Sequence, residues 1–592
     1  MKAIQLMFDT LKRDYLSPYE HTDVSTPNFK RLQQKTVQFD NFFAGSLPCM
    51  PARRDLHTGR YNFLHRGWGP LEPFDDSMPE ILKSNGIYTH MVTDHKHYWR
   101  DGGSTYHPRY SSYELIRGQE GDRWKARVNK DTDVEGIEHL PDAFKTRKAE
   151  SMSQDFVNRE YMEAESEHPM ARTVQGGLEF LEENKDADQW FLQIECFDPH
   201  EPFFVPEKYL AMYGLSQDDF NGWLQYSNDD FTNEKAEVMK GYYKALVTMC
   251  DEYLGKILDV MDEQNMWQDT MLIVNTDHGL LLGEHDWWGK NIMPVYNEIA
   301  HLPFFIWNPQ LQVHDETREQ LAQNIDVPAT ILEFFDLEVP EMMKGKPLRS
   351  VIESNDVIHE SALFGNFGNN INVVDGDYIY MRTPYPGRED YLYEYTLMPM
   401  RMNSRFKPEE MKGAELDHSF SFTKGAGTLK IQTSDFMAKS HQRFGNKLFH
   451  HAEDPGQKHP ITDPEKEFEM IVKMKQLMEE NEAPSPLYAY YGLDHIYSVE
   501  DVRQEQEELN REKEAVSEHI HFADYMVKEG YLTLIASIQD ARKKEKIQRD
   551  LQEISEQHKV TENHLRNWLQ QEMDEKDRAF LTYQLNMALR ID

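Results

Sequence analysis

The sequence predicts an α/β protein: a large mixed, mostly parallel sheet flanked by helices, then a smaller C-terminal α+β subdomain with antiparallel strands and a helical tail. Three observations carry that expectation. Through the first half, short runs rich in β-branched and aromatic residues alternate with stretches of helical apolar spacing. After about residue 370 the texture changes to short strands and turns. From about residue 495 the chain is charged and reads as helix. The expected divisions are therefore 1–370, 371–492 and 493–592.

Taken in order, "KAIQLMF" (2–8), "GIYTHMV" (86–92), "QWFLQIECF" (189–197) and "TMLIVN" (270–275) read as strands of the large sheet. "PEILKSNG" (79–86) and the long run 233–264 read as helices, and 100–170 reads as polar and loop-rich. Later, "INVVDGDYIYMRTP", "LYEYTL", "GTLKIQT" and "NKLFHH" supply the short strands of the second subdomain. In the tail, "TENHLRNWLQ" offers Thr561 as an N-cap and sets Leu565, Trp568 and Leu569 on one face. Such a face is expected to pack on the body or on a second subunit, which makes a homo-oligomer through the tail an expectation.

Composition narrows the class. With 592 residues and 39% apolar content the chain can bury a substantial core. Its three cysteines, Cys49, Cys196 and Cys250, cannot form a disulfide framework and suit a reducing compartment. The opening "MKAIQLMF" reads as a strand rather than a signal peptide, and no run approaches a membrane span. A cytoplasmic protein is expected. The formal net charge of −39 repels nucleic acid and anionic membranes, so neither is an expected partner.

The chemistry gathers after the strands. Asp9 follows the first, His95 and His97 the second, Asp198 and His200 the third, Asp277 and His278 the fourth. Ligands of open α/β sheets sit beyond the carboxyl ends of the strands, so these clusters are expected to converge. Asp9, Asp277 and His278 offer two carboxylates and an imidazole to one divalent cation. Arg53 offers a fork matched to a tetrahedral oxyanion. Lys290 adds a point charge, and His200 can protonate a leaving oxygen near neutral pH. Together they describe hydrolysis of a sulfate or phosphate ester that still lacks a nucleophile. Cys49 lies in "SLPCMPARRDLHTGRY" (46–61), whose prolines and arginines make a poor core. On the residues alone it is either a small buried hydrophobe or a thiolate favoured by its arginines.

The segment "CMPARRDLHTGR" resembles the sulfatase signature, Cys-x-Pro-x-Arg followed by Leu-x-Thr-Gly-Arg. "TDHG…LGEH…WGK" is similar to the family's second metal segment and "DPHEPF" to its histidine loop, while "LFHHAEDPGQ" (448–457) is like a strand and turn of its C-terminal subdomain. The resemblance covers about residues 1–492. It implies that a maturation enzyme oxidises Cys49 to formylglycine, and that one divalent cation, Ca²⁺ first and Mn²⁺ second, binds Asp9, Asp277, His278 and the modified residue 49. One hydroxyl of the aldehyde hydrate would attack sulfur, with His200 or Lys290 protonating the departing alcohol. Loss of a proton from the second hydroxyl would then expel sulfate. Arg53 and Lys290 would hold developing charge, and His95 and His97 would contact the hydrate or the substrate.

Two departures qualify the resemblance. Thr10 stands where many sulfatases have a second aspartate, and "HKH" replaces the usual Lys-x-His. Phosphonate monoester hydrolases, relatives with the same nucleophile, share both, and they are the alternative reading. A non-catalytic binding protein on the same fold is a remote one. The expected substrate is a small sulfated mono- or disaccharide cleaved in exo fashion, since the charge of −39 disfavours long polyanions. Tyr98, Trp99, Trp287 and Trp288 are the aromatics expected at the mouth.

Overall fold

The computed structural model describes residues 1–517 apart from 20–22, 131–133, 135–141, 227–230, 434–440 and 443. The sequence-predicted helix near 561–570 lies outside the described residues. The four expected strands form, as Lys2–Phe8, Tyr88–Thr93, Trp190–Cys196 and Thr270–Thr276. They sit side by side in an eight-stranded sheet ordered Glu316–Arg318, Val37–Phe39, Phe304–Trp307, Thr270–Thr276, Lys2–Phe8, Trp190–Cys196, Tyr88–Thr93, Ser112–Leu115. All neighbours pair in parallel except Phe304–Trp307, which runs antiparallel to both strands beside it. Central strands that are apolar on both faces are what a sheet covered on both sides requires.

The two coverings are distinct. Ala3, Met7, Phe191 and Met271 pack on one face with helices Met50–Thr58 and Asp326–Phe334. Ile4, Leu6, Phe8 and Leu272 pack on the other with Pro27–Lys35, Pro169–Glu183 and Asn233–Glu263. The longest of these helices starts at Thr232, whose side chain accepts the Lys235 N–H as a cap. The stretch expected to be loop-rich contains a helix, Asp142–Arg159. Its mostly polar composition hid the short apolar face, Ala149, Met152 and Phe156, that packs on Trp223.

The C-terminal strands form two antiparallel arrays. Tyr393–Thr396, Thr428–Gln432 and Glu415–Asp417 make a three-stranded sheet. Lys447–His450, Tyr378–Arg382, Ile371–Val374 and Ala362–Asn366 make most of a five-stranded one under helix Pro464–Glu480. Its fifth strand is Ser46–Leu47, which pairs in parallel with Gly365 and Asn366 just ahead of Cys49. The small sheet therefore begins before residue 371 and takes in a piece of the N-terminal region. At its far side, helix Val499–Ser517 buries Val502, and Glu505 takes both arms of the Arg382 guanidinium at 2.6 and 3.0 Å. The first turns of the presumed tail are thus part of this core. No helix among the described residues is long and apolar enough to cross a membrane.

Candidate active site

Register explains why the site exists. Phe8 pairs with both Cys196 and Thr276, and Thr93 pairs with Glu195, so the strands release Asp9, Asp94 and Asp277 at one level. Helix Met50–Thr58 meets that level with its N-terminus. Cys49 caps it with φ +48° and ψ −98°, a strained conformation for a residue bearing a β-carbon. The helix stops at Gly59, whose φ of +60° suits glycine. Asp55 in this helix accepts hydrogen bonds from the Ser46 N–H (2.6 Å), the Ser46 hydroxyl (2.8 Å) and Asn62 Nδ2 (2.6 Å). One buried carboxyl thereby ties together the strand before Cys49, its helix and the turn after it.

Asp9, Cys49, Asp277 and His278 are all buried, with donor atoms within 4.8 Å of one another. His278 Nδ1 lies 2.9 Å from the Gly279 carbonyl, and its Nε2 lies 3.1 Å from Cys49 Sγ and 3.3 Å from Asp277 Oδ2. An Nδ1–H donated to that carbonyl leaves Nε2 as a lone pair aimed into the cluster, the usual arrangement of a metal-bound imidazole. Arg53 Nε donates to Glu195 Oε1 at 2.8 Å, Nη2 to Asp9 Oδ2 at 2.8 Å, and Nη1 to Asp277 Oδ2.

Three carboxylates around one guanidinium leave excess negative charge in a dry place. The consequence falls on Asp9: burial, and then Asp277, push its carboxyl well above the usual range against Arg53 and Lys290. Asp277 is held below its ordinary value, because His278, Arg53 and Lys290 together outweigh its burial. A divalent cation satisfies this donor set, removing the need for Asp9 to keep a proton.

Above the cluster opens a cavity of about 800 Å³ walled in part by Cys49, His97, His200 and Lys290. Lys290 Nζ donates to the Thr10 hydroxyl at 2.9 Å, and that hydroxyl donates to Asp9 Oδ1 at 2.6 Å. Burial alone would lower the Lys290 pKa, but Glu201, Cys49 and Asp9 carry it above the ordinary lysine value. His200 Nδ1 bonds the Glu201 carbonyl, leaving Nε2 for the pocket, and burial followed by Lys290 pushes its pKa well down. Cys49 is 2% exposed, and burial, then Asp9, raise its thiol well above the ordinary value. The arginine-favoured thiolate therefore has no support in the geometry.

Several sequence-predicted residues sit elsewhere. The Arg53 guanidinium is spent on Asp9, Glu195 and Asp277 and is not part of the pocket wall, so it organises carboxylates instead of presenting a free fork. His95 is wholly buried behind the site with Nδ1 3.8 Å from Asp9 Oδ2, away from the substrate cavity. Asp198 turns from the cluster to share Gln119 Nε2 with Asp94. The expected mouth aromatics are also displaced. Tyr98 lies beneath with its hydroxyl on Glu195, Trp99 Nε1 donates to Asp122, and Trp287 and Trp288 are buried in separate cores. Trp68, Trp223 and Tyr226 line the cavity instead. Sequence reasoning also missed Glu195, although a lone acid inside the apolar strand Trp190–Cys196 signals a buried partner.

Comparison with known proteins follows the same lines. A family model described as Sulfatase matches residues 3–337. An arylsulfatase of Clostridium perfringens (strain 13 / Type A) is 22% identical over 451 residues, covering 69% of this chain and 91% of that protein. A solved complex with its substrate D-glucosamine-2-N,6-O-disulfate superposes with a TM-score of 0.55 at 14% identity, covering 82% of this chain and 99% of the other. The phosphonate monoester hydrolase of Agrobacterium radiobacter superposes with a TM-score of 0.54 at 17% identity, covering 81% and 95%. At such identities the solved structures speak for the fold.

Proposed function

This chain belongs to the sulfatase family and hydrolyses sulfate esters, and from that premise we propose that it does so through a formylglycine made from Cys49 and one divalent cation. The observation that carries this reading is the buried convergence of Asp9, Asp277, His278 and Cys49 under the open cavity. Burial and then Asp9 raise the thiol above its ordinary value, so an unmodified Cys49 is a poor nucleophile here, and its place in the signature segment "CMPARRDLHTGR" supports conversion to the aldehyde. Hydrated, that group supplies an oxygen nucleophile and a second hydroxyl for sulfate release, while the cation supplies charge for the sulfate oxygens. Ca²⁺ is the first choice for two carboxylates, with Mn²⁺ second because of the imidazole.

The chain's own residues divide the remaining work. Arg53 holds Asp9 and Asp277 in place, and the Thr10 hydroxyl links Asp9 to Lys290. Among the wall's cations Lys290 is the one tied through the Thr10 hydroxyl to Asp9, and it is the acid for the departing alcohol. His200 is held neutral with Nε2 bare toward the pocket, so it can accept a hydrogen bond there rather than give the first proton. This reverses the order of preference that sequence alone suggests for the two. His97 flanks the cavity, with Nδ1 3.3 Å from Asn403 Oδ1 and its ring edge-on to Trp68.

A cavity of about 800 Å³ with Trp68, Trp223 and Tyr226 in its walls suits a sulfated mono- or disaccharide. Three free buried cysteines fit the proposed cytoplasmic setting. The likeness in fold to a phosphonate monoester hydrolase keeps that activity as the second reading. A panel of aryl sulfates, sulfated sugars and phosphonate monoesters separates the two: sulfates should show the higher kcat/KM, and a reversed order assigns the second. Peptide mass spectrometry of active protein should find formylglycine at position 49, and unmodified thiol at full activity rejects it. Asp277→Asn should lower bound metal on elemental analysis together with activity, and unchanged metal content moves the cation elsewhere.

A further inference from the structure

The cavity wall carries more positive charge than the proposed reaction uses. Lys96, Lys130 and Lys290 in the wall are each engaged: Lys96 with Glu120 at 2.6 Å, Lys130 with the Glu150 carbonyl at 3.2 Å, Lys290 with Thr10. Arg100, Arg123 and Lys148 line the same cavity, and among the described residues their side chains make no hydrogen bond or ion pair. Lys148 Nζ only rests 4.3 Å from the centroid of the Trp223 ring. The three come from separate segments: the turn after Trp99, the loop after Gly121 and the helix Asp142–Arg159. They nonetheless share one cavity in a chain of net charge −39, where carboxylate partners abound.

Clustering like charges without a partner is unfavourable unless something anionic arrives. Half-buried Arg100 is already held below its usual value, by burial and, against the pull of Glu120, by Arg123. Burial likewise depresses Lys148, against Glu120 and Glu201. The wall's carboxylates do not neutralise the set. Glu120 takes Lys96, Glu201 faces Lys290 at 3.6 Å and bonds the Tyr226 hydroxyl, and exposed Glu150 makes no ion pair with these cations.

We propose that Arg100, Arg123 and Lys148 form a second anion subsite, so that the substrate is a short saccharide bearing another sulfate or a carboxylate besides the ester that is cleaved. This rests on the sulfatase reading above and narrows its substrate class. Guanidinium and ammonium groups at the wall take either oxyanion, and the buried Trp223 ring under Lys148 holds the ammonium in place. The overall negative field repels a long polyanion but not a short one whose charges all fall inside the basic cavity.

The test compares kcat/KM for p-nitrophenyl sulfate, a monosulfated sugar, the same sugar with two sulfates, and a disaccharide with one sulfate and one uronate. The wild-type protein should prefer the doubly charged sugars by about ten-fold or more over the monosulfated one, less so at high salt. Arg100→Gln, Arg123→Gln and Lys148→Gln should each erode that ratio, and the triple variant should abolish it while melting at an unchanged temperature. Loss in the disulfate arm alone assigns the subsite to sulfate, and loss in the uronate arm alone to carboxylate. A wild-type ratio near one, or equal losses on singly and doubly charged substrates, overturns the proposal. Calorimetric titration of the Cys49→Ala protein reads the same preference as a ratio of Kd values. Absent turnover of every sulfate with that binding preference intact would break the hydrolase reading and leave the subsite standing.

Discussion

At the floor of the cavity, Asp9 and Asp277 leave parallel strands that are in register at Phe8 and Thr276, and both are wholly buried. At the rim, Lys148 rides the helix Asp142–Arg159, Trp223 comes from the loop before Asn233, and Asn403 comes from the C-terminal half. The floor is placed by backbone pairing, which cannot shift one residue without turning every side chain to the opposite face. The rim is placed by loops and one polar helix, which tolerate change without disturbing the sheet. On the proposed function, reaction chemistry belongs to the floor and substrate choice to the rim, and mutations in the two regions should have different signatures.

The sharpest break in that contrast comes from Cys49→Ala. Turnover of every ester should fall by ~10⁴-fold or more while the fold persists, since a small side chain replaces another at a buried site. Retained activity on any sulfate would move the nucleophile away from the floor. Next in size, Lys290→Gln should slow esters of poor leaving groups by roughly 10²–10⁴-fold and activated aryl sulfates much less. His200→Ala should slow both kinds alike. An inverse pattern in leaving-group plots would return the acid role to His200.

The smallest effect concerns the acid pair behind the histidine loop. Burial, then the neighbouring carboxylate, raise Asp94 to about 7, and burial raises Asp198 to about 7. The folded protein thus keeps a proton that the unfolded chain releases near 3.8. That contribution to stability is full below the unfolded value and is lost as pH rises through about 7. Between pH 6 and 8 it should cost about 1–2 kcal/mol. Asp198→Asn should flatten this part of the profile in denaturant titrations at several pH values. A parallel slope in variant and wild type would show that the pair is not the source.

Legibility in the sequence divides along the same line. Strand Lys2–Phe8 and its three partners announce themselves as apolar runs, and Asp9, Asp277 and His278 follow at the positions where such strands end. What failed to show were contacts made by side chains far apart in the chain. Nothing in "CMPARRDLHTGR" says that Arg53 will be consumed by Asp9, Asp277 and Glu195. Trp287 and Trp288 look like neighbours at a mouth, yet they point into opposite cores because successive residues of an extended segment alternate faces. The helix Asp142–Arg159 keeps only a short apolar face, Ala149, Met152 and Phe156, inside an otherwise polar run. The two-residue strand Ser46–Leu47 is too short to carry any periodicity.

That last strand sets a clock on the molecule's assembly. Ser46 and Leu47, which lead directly into Cys49, find their sheet partners only in Gly365 and Asn366. During synthesis, at ~5–20 residues per second, the chain needs roughly a quarter of a minute to a minute to travel from one to the other. Afterwards the segment around Cys49 is enclosed, with the thiol 2% exposed. The maturation proposed for Cys49 would have its best access before the second half of the chain arrives, and slower translation through 50–366 would then raise the modified fraction.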